Sequence, residues 1–179
     1  MKIKYLSLIP SLTAIAIVLG TTPAGGESPL SSEKTFTCQT EADTPVTLAK
    51  TSNGEMQPIF HWNSSALPDD ADGKQLCQDV SQQLDNYFTS EHDFSFIGFK
   101  GTSLENLPTV CLTGQENECQ LVLFTLSPSE KPVQVANLAL DSILDPQLQS
   151  DKIAYRDRGV QSYYYRVNFW SLLGLKFIK

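Results

Sequence analysis

The residues TVCLTGQENECQLVLFTL, numbers 109–126, carry the clearest structural signal in this 179-residue chain. Residues 109–113 and 119–126 are rich in Val, Leu and Phe on both faces, which is typical of strands in the middle of a sheet. The polar residues between Cys111 and Cys119 resemble a hairpin connection, because apolar segments flank them on both sides. We therefore expect two neighbouring central strands, with the two cysteines near the ends of the hairpin.

Short strands and a helix are expected before this hairpin. Phe36–Thr40 and Val46–Thr51 are strand candidates separated by a turn at residues 43–45. Asn53-Gly54 is the strongest two-residue hairpin signal in the chain, and it predicts that Val46–Thr51 pairs with Met56–Asn63. A further strand is expected at Phe94–Lys100. Residues 101–106 then read as a loop, and residues 150–158 as a polar stretch.

The first helix is predicted from Gly73 to Thr89. Asp72 is a favourable N-cap residue, and Gln75 three positions later resembles the second half of a capping box. Apolar residues recur at three- and four-residue spacing, which is the pattern of a helix packed on a core. This stripe consists of Leu76, Cys77, Val80, Leu84, Tyr87 and Phe88.

A second helix is predicted to begin at Pro132, because proline is well accommodated in the first helical turn. Asp145-Pro146 ends it, since the residue before a proline avoids helical geometry. The order of elements predicts an α+β fold: an antiparallel sheet of five or six strands with two helices packed on one face. A hydrophobic fraction of 41% suffices for a core, and a single domain over residues 36–179 is expected.

The first residues have the order of a secretory signal peptide. Residues 1–4 are basic, residues 5–20 are uncharged and apolar, and residues 21–26 are small and turn-forming. We expect cleavage near Ala24, so that residues 1–24 are the signal peptide and residues 25–35 a flexible leader. A retained anchor is the alternative, although the apolar run of about 16 residues is shorter than a bilayer span. The expected location is the periplasm or another extracytoplasmic compartment.

All four cysteines lie in the exported part, and an even count in an exported chain favours disulfide bonds. A zinc site is disfavoured because no C-x-x-C spacing occurs and neither histidine lies near a cysteine. We prefer the pairs Cys38–Cys77 and Cys111–Cys119. Cys77 lies on the apolar helix face, from which it could reach a cysteine on an underlying strand, and Cys111 and Cys119 flank a hairpin connection. The set Cys38–Cys111 with Cys77–Cys119 remains open. Either arrangement makes the domain disulfide-stabilised.

The order of several short motifs is similar to that of a known family. The motifs are Phe36-Thr37-Cys38, Thr47-Leu48-Ala49-Lys50-Thr51, Gly54, Pro58-Ile59-Phe60-His61-Trp62, Cys77 with Val80-Ser81, Val110-Cys111, Cys119, and Leu123-Phe124-Thr125-Leu126 with Pro128 and Pro132. They resemble the exported circadian-oscillating-protein domain of cyanobacteria over about residues 36–144. The resemblance implies a cyanobacterial exported domain, and it implies no catalytic residues because the family has no assigned catalytic activity.

The tail at residues 162–179 is unusually aromatic and apolar. Its apolar residues follow helical spacing, with lysines near the end, so the tail could lie in a membrane interface or dock on a partner. We prefer the interpretation that the tail completes the core, and surface contact is the alternative. The residues expected to contact a membrane or a partner are Phe169, Trp170, Leu173 and Phe177.

Candidate metal ligands are few. Asp70, Asp72 and Asp79 fall at the third, fifth and twelfth places of a calcium-loop pattern, but Pro68 at the first place offers no side-chain ligand. Acidic residues at a helix N-terminus are also favoured by the helix dipole alone. We therefore expect no metal and no other cofactor, and a calcium-responsive module is an alternative.

No catalytic motif is apparent. Neither a G-x-S-x-G elbow nor an H-E-x-x-H pair occurs. No glycine-rich pattern for phosphate binding occurs either, so we expect no nucleotide. His61 precedes Trp62 on a strand, so one side chain should face the core and the other outward. His92 lies in an acidic loop and is expected to be solvated. An exported hydrolase with an unrecognised site is the rival interpretation.

The charge balance limits the partners. The chain has 13 Lys and Arg against 20 Asp and Glu, and loss of Lys2 and Lys4 leaves 11 against 20, a charge of −9. The phosphates of nucleic acid would be repelled by such a surface. The sequence therefore predicts an exported non-enzymatic binding or structural module with a protein, a glycan or a membrane surface as partner. Peripheral membrane association is included in this expectation.

Overall fold

The structure is a computed structural model that describes residues 34–63, 65, 67–68, 71–90, 97–114, 117–157 and 160–174. From Lys34 onward the chain forms one compact unit. Its elements in chain order are β1 (Phe36–Glu41), β2 (Thr44–Lys50), β3 (Met56–His61), α1 (Gly73–Ser90), β4 (Ile97–Leu104), β5 (Leu107–Thr113), β6 (Cys119–Thr125), α2 (Pro132–Ile143), β7 (Lys152–Asp157), β8 (Val160–Val167) and α3 (Phe169–Leu172).

The described strands form two antiparallel sheets. One has three strands in the order β1-β2-β3, and the other has five in the order β6-β5-β4-β8-β7. The predicted α+β class, with a five-stranded antiparallel sheet and two long helices, is confirmed. The strands before α1 form a sheet of their own. Helix α1 packs on β1 and β2, and α2 packs on β4 and β5.

Both turns of the three-stranded sheet contain residues with positive φ. Ala42 and Asp43 join β1 to β2 at φ 44° and 67°, and Gly54 lies at φ 86° between β2 and β3. The hairpin that Asn53-Gly54 predicts is confirmed, since β2 and β3 pair in antiparallel register. The first turn falls one residue earlier than predicted, because residues 44 and 45 already pair with β1.

The loop expected at residues 101–106 is mostly strand. β4 continues to Leu104, and Glu105 and Asn106, at φ 49° and 65°, reverse the chain into β5. Gly101 interrupts the apolar pattern because of packing and not because of a turn. A Cβ on Gly101 would lie 2.5 Å from the backbone nitrogen of Asn137. Glycine therefore lets α2 approach β4 closely.

The position of the strand at Cys119 differs from the prediction. β6 is an edge strand, whereas β5 lies inside the sheet as expected. Helix α1 covers part of this edge, since the Gln83 side chain donates to the Leu123 carbonyl at 3.3 Å. Phe124 of the same strand packs against Trp62, which follows β3, and their ring centroids lie 5.4 Å apart. An edge strand covered in this way has the same apolar pattern as a central strand, so the sequence could not distinguish them.

Helix α1 begins where the sequence predicts. The Asp72 carboxylate accepts hydrogen bonds from the backbone nitrogens two and three residues later, at 2.9 and 3.1 Å. This is the N-cap geometry. The Gln75 side chain donates to Asp79 at 2.8 Å instead of completing a capping box. The predicted stripe is the buried face, and its fully buried members are Cys77, Val80 and Leu84.

Helix α2 begins at Pro132 and ends before Asp145-Pro146, as the sequence predicts. Its Asp141 carboxylate accepts hydrogen bonds from the Tyr163 and Tyr165 hydroxyls of β8, both at 2.6 Å. Burial, and then these hydrogen bonds to a carboxylate, raise the pKa of both phenols well above the ordinary value. Both tyrosines therefore stay protonated and act as donors that tie the strand to the helix.

Both disulfides have the preferred pairing. Cys38 of β1 is bonded to Cys77 of α1, and Cys111 of β5 is bonded to Cys119 of β6. The first bridge joins residues 39 apart and fixes α1 on the three-stranded sheet. The second joins residues 8 apart and links two paired strands. The alternative pairing is wrong.

The C-terminal segment, residues 168–174, corrects the expectation of surface contact for Phe169 and Leu173. Phe169 has no exposed surface and Leu173 is 4% exposed. The Phe169 ring centroid lies 4.8 Å from that of Phe88 and 6.2 Å from that of Phe36. A helical apolar stripe looks the same whether a core or a membrane covers it. Within the described residues, no helix has the length and apolar character needed to cross a membrane.

Candidate functional site

A groove of about 560 Å³ opens where the two sheets meet, and we call it the seam groove. Three groups of residues line it, which are Gln57 of β3, then Gln147, Leu148, Ser150 and Asp151, and finally Arg166, Val167, Asn168, Ser171 and Leu172. The second group follows α2 in the 3-10 turn Pro146–Ser150, and the third comes from the end of β8 and α3. Its volume falls within the range of small-molecule sites, roughly 300–1,000 Å³.

Asp145 positions the turn that forms one wall of the seam groove. Its backbone nitrogen donates to the Ile59 carbonyl at 2.9 Å, and its carboxylate accepts from the Gln147 backbone nitrogen at 2.9 Å. The same residue precedes Pro146 and so ends α2. One short sequence signal therefore both ends the helix and builds the wall.

The C-terminal segment forms the opposite wall. The Asn168 side chain accepts a hydrogen bond from the Ser171 backbone nitrogen at 3.0 Å and caps α3. Ser52, in the turn after β2, holds the far end. Its backbone nitrogen donates to the Leu173 carbonyl at 2.6 Å, and its hydroxyl donates to the Gly174 carbonyl at 2.9 Å. The segment thus connects the five-stranded sheet to the three-stranded sheet.

One ion pair lies in the seam groove. The Arg166 Nε and Nη2 donate to the Asp151 carboxylate at 2.7 and 3.4 Å, and the side chains are 47% and 49% exposed. The Arg166 backbone nitrogen also donates to the Asp151 carbonyl at 3.0 Å. Hydrogen bonding to Asp151 raises the pKa of Arg166 further above its ordinary value, so the guanidinium stays charged.

Uncharged polar groups surround this pair. The Gln57 side chain donates to the Gln147 side chain at 3.3 Å, from β3 to the 3-10 turn. Ser150, Asn168 and Ser171 add two hydroxyls and an amide. The apolar part of the lining is aliphatic and consists of Leu148, Val167 and Leu172. This arrangement presents many donors and acceptors beside an aliphatic base, which suits a small polar ligand.

His61 and Asp145 form a second polar arrangement. The His61 Nε2 lies 2.8 Å from the Asp145 carboxylate, and the two side chains are 36% and 9% exposed. Trp62 beside it is buried, so the two residues face opposite ways as predicted. A hydrolytic triad also needs a nucleophile in reach of the histidine. Among the described residues, no hydroxyl is hydrogen-bonded to His61, and this contact joins β3 to the end of α2.

The calcium candidates have other roles where the structure describes them. Asp72 is the N-cap of α1 and Asp79 accepts a hydrogen bond from Gln75, while Asp70 lies outside the described residues. In the part of the chain that the structure describes, no cluster of three or more His, Cys, Asp or Glu has metal-binding geometry. His92, Phe177 and the Trp170 side chain also lie outside the described part.

No motif in the sequence predicted the seam groove. Asp151 and Arg166 are 15 positions apart, and antiparallel pairing of β7 with β8 brings them together. Residues 150–158 are predicted as a polar stretch, so the sequence analysis does not predict β7 or its hairpin with β8. Recognising Lys152–Asp157 as an edge strand would have placed Asp151 beside the end of β8. Gln57 and Gln147 meet only through the packing of two separate sheets.

These observations define a class of protein: a disulfide-bonded α+β domain with a polar groove between two antiparallel sheets. The family model described as Circadian oscillating protein COP23 matches residues 35–172. The chain therefore belongs to this family, as the resemblance in sequence implied. The match includes all four cysteines and every lining residue of the seam groove. No curated protein and no solved structure matches the chain.

Proposed function

We propose that this protein is an exported, disulfide-stabilised binding module that holds a small polar ligand in the seam groove without reacting with it. The observation that carries the proposal is the groove itself. It has the volume of a small-molecule site, and its lining includes one residue of the three-stranded sheet, Gln57, and the end of β8 in the five-stranded sheet. Sites of this kind combine an apolar base with a few placed polar groups, and the seam groove has both.

Export is supported by the cysteines and by the first residues. All four cysteines are paired, and disulfides persist in oxidising compartments outside the cytoplasm. The basic, apolar and small-residue order of residues 1–26 matches a signal peptide. Burial of Phe169 and Leu173 favours a module that does not use these two residues to contact a membrane.

The binding proposal is tested by the melting temperature of the oxidised protein in the presence of amino acids, short peptides, organic acids and oligosaccharides. A ligand that binds only the folded state raises the melting temperature. The groove variant is Gln57→Ala/Gln147→Ala, which removes both partners of an exposed hydrogen bond. The matched control is Gln78→Ala/Gln82→Ala, which changes two exposed glutamines on α1. We expect a rise for the native chain and the control but not for the groove variant. No rise with any class, or an equal rise in all three proteins, contradicts the proposal.

Export is tested by intact mass before and after reduction, together with fractionation of the producing cells. We expect loss of residues 1–24, a gain of four hydrogens on reduction, and recovery outside the cytoplasm. Release only by salt or detergent would support peripheral membrane association. An uncleaved or fully reduced chain would contradict the export proposal.

The rival hydrolase rests on the contact between His61 and Asp145. Because Asp145 also caps the 3-10 turn, its loss would disturb the groove as well. His61→Ala is therefore the cleaner variant. In a broad panel of ester, amide and glycoside substrates, we expect no turnover by the native chain. Turnover that His61→Ala abolishes would replace the binding module with the hydrolase.

A further inference from the structure

The two charges in the lining of the seam groove are paired with each other. The cation and the anion of its lining, Arg166 and Asp151, are bonded to one another. An anionic ligand would meet the Asp151 carboxylate on a chain whose formal charge is −9 once residues 1–24 are removed, and a cationic ligand would meet the guanidinium. A neutral ligand is repelled by neither group. Sites for charged ligands select them by complementary charge, and a paired lining offers no excess charge of either sign.

Unused donors and acceptors lie side by side in the seam groove. A guanidinium has five N–H donors, and Arg166 uses two of them on Asp151. The Gln147 amide accepts from Gln57 and keeps its own NH₂ donors. A hydroxyl both donates and accepts hydrogen bonds. A ligand with closely spaced hydroxyls therefore satisfies neighbouring donors and acceptors together.

The lining of the seam groove favours a sugar over a peptide that binds as an added strand. Leu172 is half-buried and lines the groove beside the buried Leu148 and Val167, so the apolar surface available to the C–H face of a sugar ring comes mainly from Leu172. Peptides often bind by adding a strand to a free sheet edge. Here the lining comes mainly from a turn, a strand end and α3, and the edge strand β3 is bridged at Phe60 by Leu144.

We propose that the seam groove binds a neutral oligosaccharide, an inference that rests on the proposed binding function and adds the ligand class to it. The donor and acceptor groups contact the hydroxyls, and Leu172 contacts the ring face. Glycoside hydrolysis commonly needs two carboxyl groups across the scissile bond. Asp151 is the carboxylate that the described lining supplies, so the sugar is held intact.

The test is calorimetric titration of the oxidised full chain with three neutral probes: a glucose pentasaccharide linked α-1,4, one linked β-1,4, and an N-acetylglucosamine pentasaccharide. A galacturonic acid pentasaccharide and a Gly-Ser peptide are the comparison probes. We expect saturable binding of at least one neutral probe. Gln57→Ala/Gln147→Ala should weaken it about tenfold or more through lost hydrogen bonds. Gln78→Ala/Gln82→Ala should leave it within about twofold, since surface changes remote from a site have small effects.

The other outcomes separate the two proposals. If only the acidic probe or the peptide binds, and the groove variant loses that binding, the sugar inference fails and the binding function stands. Sugar binding that the groove variant retains places the site elsewhere and overturns the inference. If no probe binds while another class raises the melting temperature, the ligand class is wrong. If no probe binds and no class of compound raises the melting temperature, both proposals fail.

Discussion

Helices α1 and α2 are held on their sheets by different kinds of interaction. The Cys38–Cys77 bond joins α1 to β1 covalently. Helix α2 lies on β4 at Gly101, where no Cβ would fit, and Asp141 accepts hydrogen bonds from two tyrosines of β8. A disulfide therefore holds α1 on its sheet, whereas close packing and part-buried hydrogen bonds hold α2. The second disulfide links two strands of the five-stranded sheet and does not involve α2. The seam groove lies where the two sheets meet.

The largest expected effect is loss of the bridge between β1 and α1. In the loop-entropy model, a bridge across this many residues stabilises a fold by about 4 kcal/mol, and the short bridge by about 2.5. Cys38→Ala/Cys77→Ala should therefore reduce the free energy of unfolding in urea more than Cys111→Ala/Cys119→Ala does. Equal losses, or a larger loss for the short bridge, would contradict the covalent attachment of α1 as the main effect.

The second effect tests the packing of α2. Gly101→Ala places a Cβ 2.5 Å from the Asn137 backbone nitrogen, and overpacking of this kind costs about 1–3 kcal/mol. The measurement is again urea unfolding of the oxidised protein. Leu138→Ala on the exposed side of the same helix, where the side chain is 57% exposed, is the control and should have little effect. A neutral Gly101→Ala would show that α2 does not need this close approach.

The third effect concerns alkaline pH. The pKa values of Tyr163 and Tyr165 are raised in the folded protein, so their stabilisation is complete below the unfolded pKa, about 10. It is lost as the pH rises further, because the unfolded chain releases its protons first. Urea unfolding of the native chain should therefore show falling stability above that pH. Tyr163→Phe/Tyr165→Phe should flatten the fall, while Tyr155→Phe/Tyr164→Phe should not. Identical pH profiles for the two double variants would contradict the role of Asp141.

The smallest expected effect is that of the groove side chains on stability. The Gln57 and Gln147 side chains contact each other near the surface, and surface substitutions usually change stability by no more than about 0.5 kcal/mol. Gln57→Ala/Gln147→Ala should therefore unfold in urea almost as the native chain does. A large loss would make these residues part of the packing between the two sheets and would weaken their use as a binding test.

The sequence predicted elements whose signals are local. Asp72 marks the start of α1, Pro132 and Asp145-Pro146 bound α2, and Asn53-Gly54 marks a hairpin, because capping and turn geometry depend on a few neighbouring residues. The disulfide pairing also followed from one helix face and one hairpin. These features need no knowledge of how distant elements pack.

The sequence did not predict features that depend on packing between residues distant in the chain. Phe169 and Leu173 repeat with a spacing that fits either a core helix or a surface helix, and their burial in the folded chain favours the core. β6 has the composition of a central strand because α1 covers its edge. Asp151 and Arg166 meet through the pairing of β7 with β8, and no local pattern announces it. The seam groove combines such distant contacts, which explains why no motif revealed it.

The most direct test of the central claim is a map of backbone amide chemical shifts in the oxidised protein during titration with the three neutral pentasaccharides. The account predicts that at least one of them shifts the amides of Gln57, residues 147–151 and residues 166–172 together, and leaves α1 unchanged. Shifts confined to the N-terminus of α1, or spread evenly over the surface, would contradict the seam groove as the binding site.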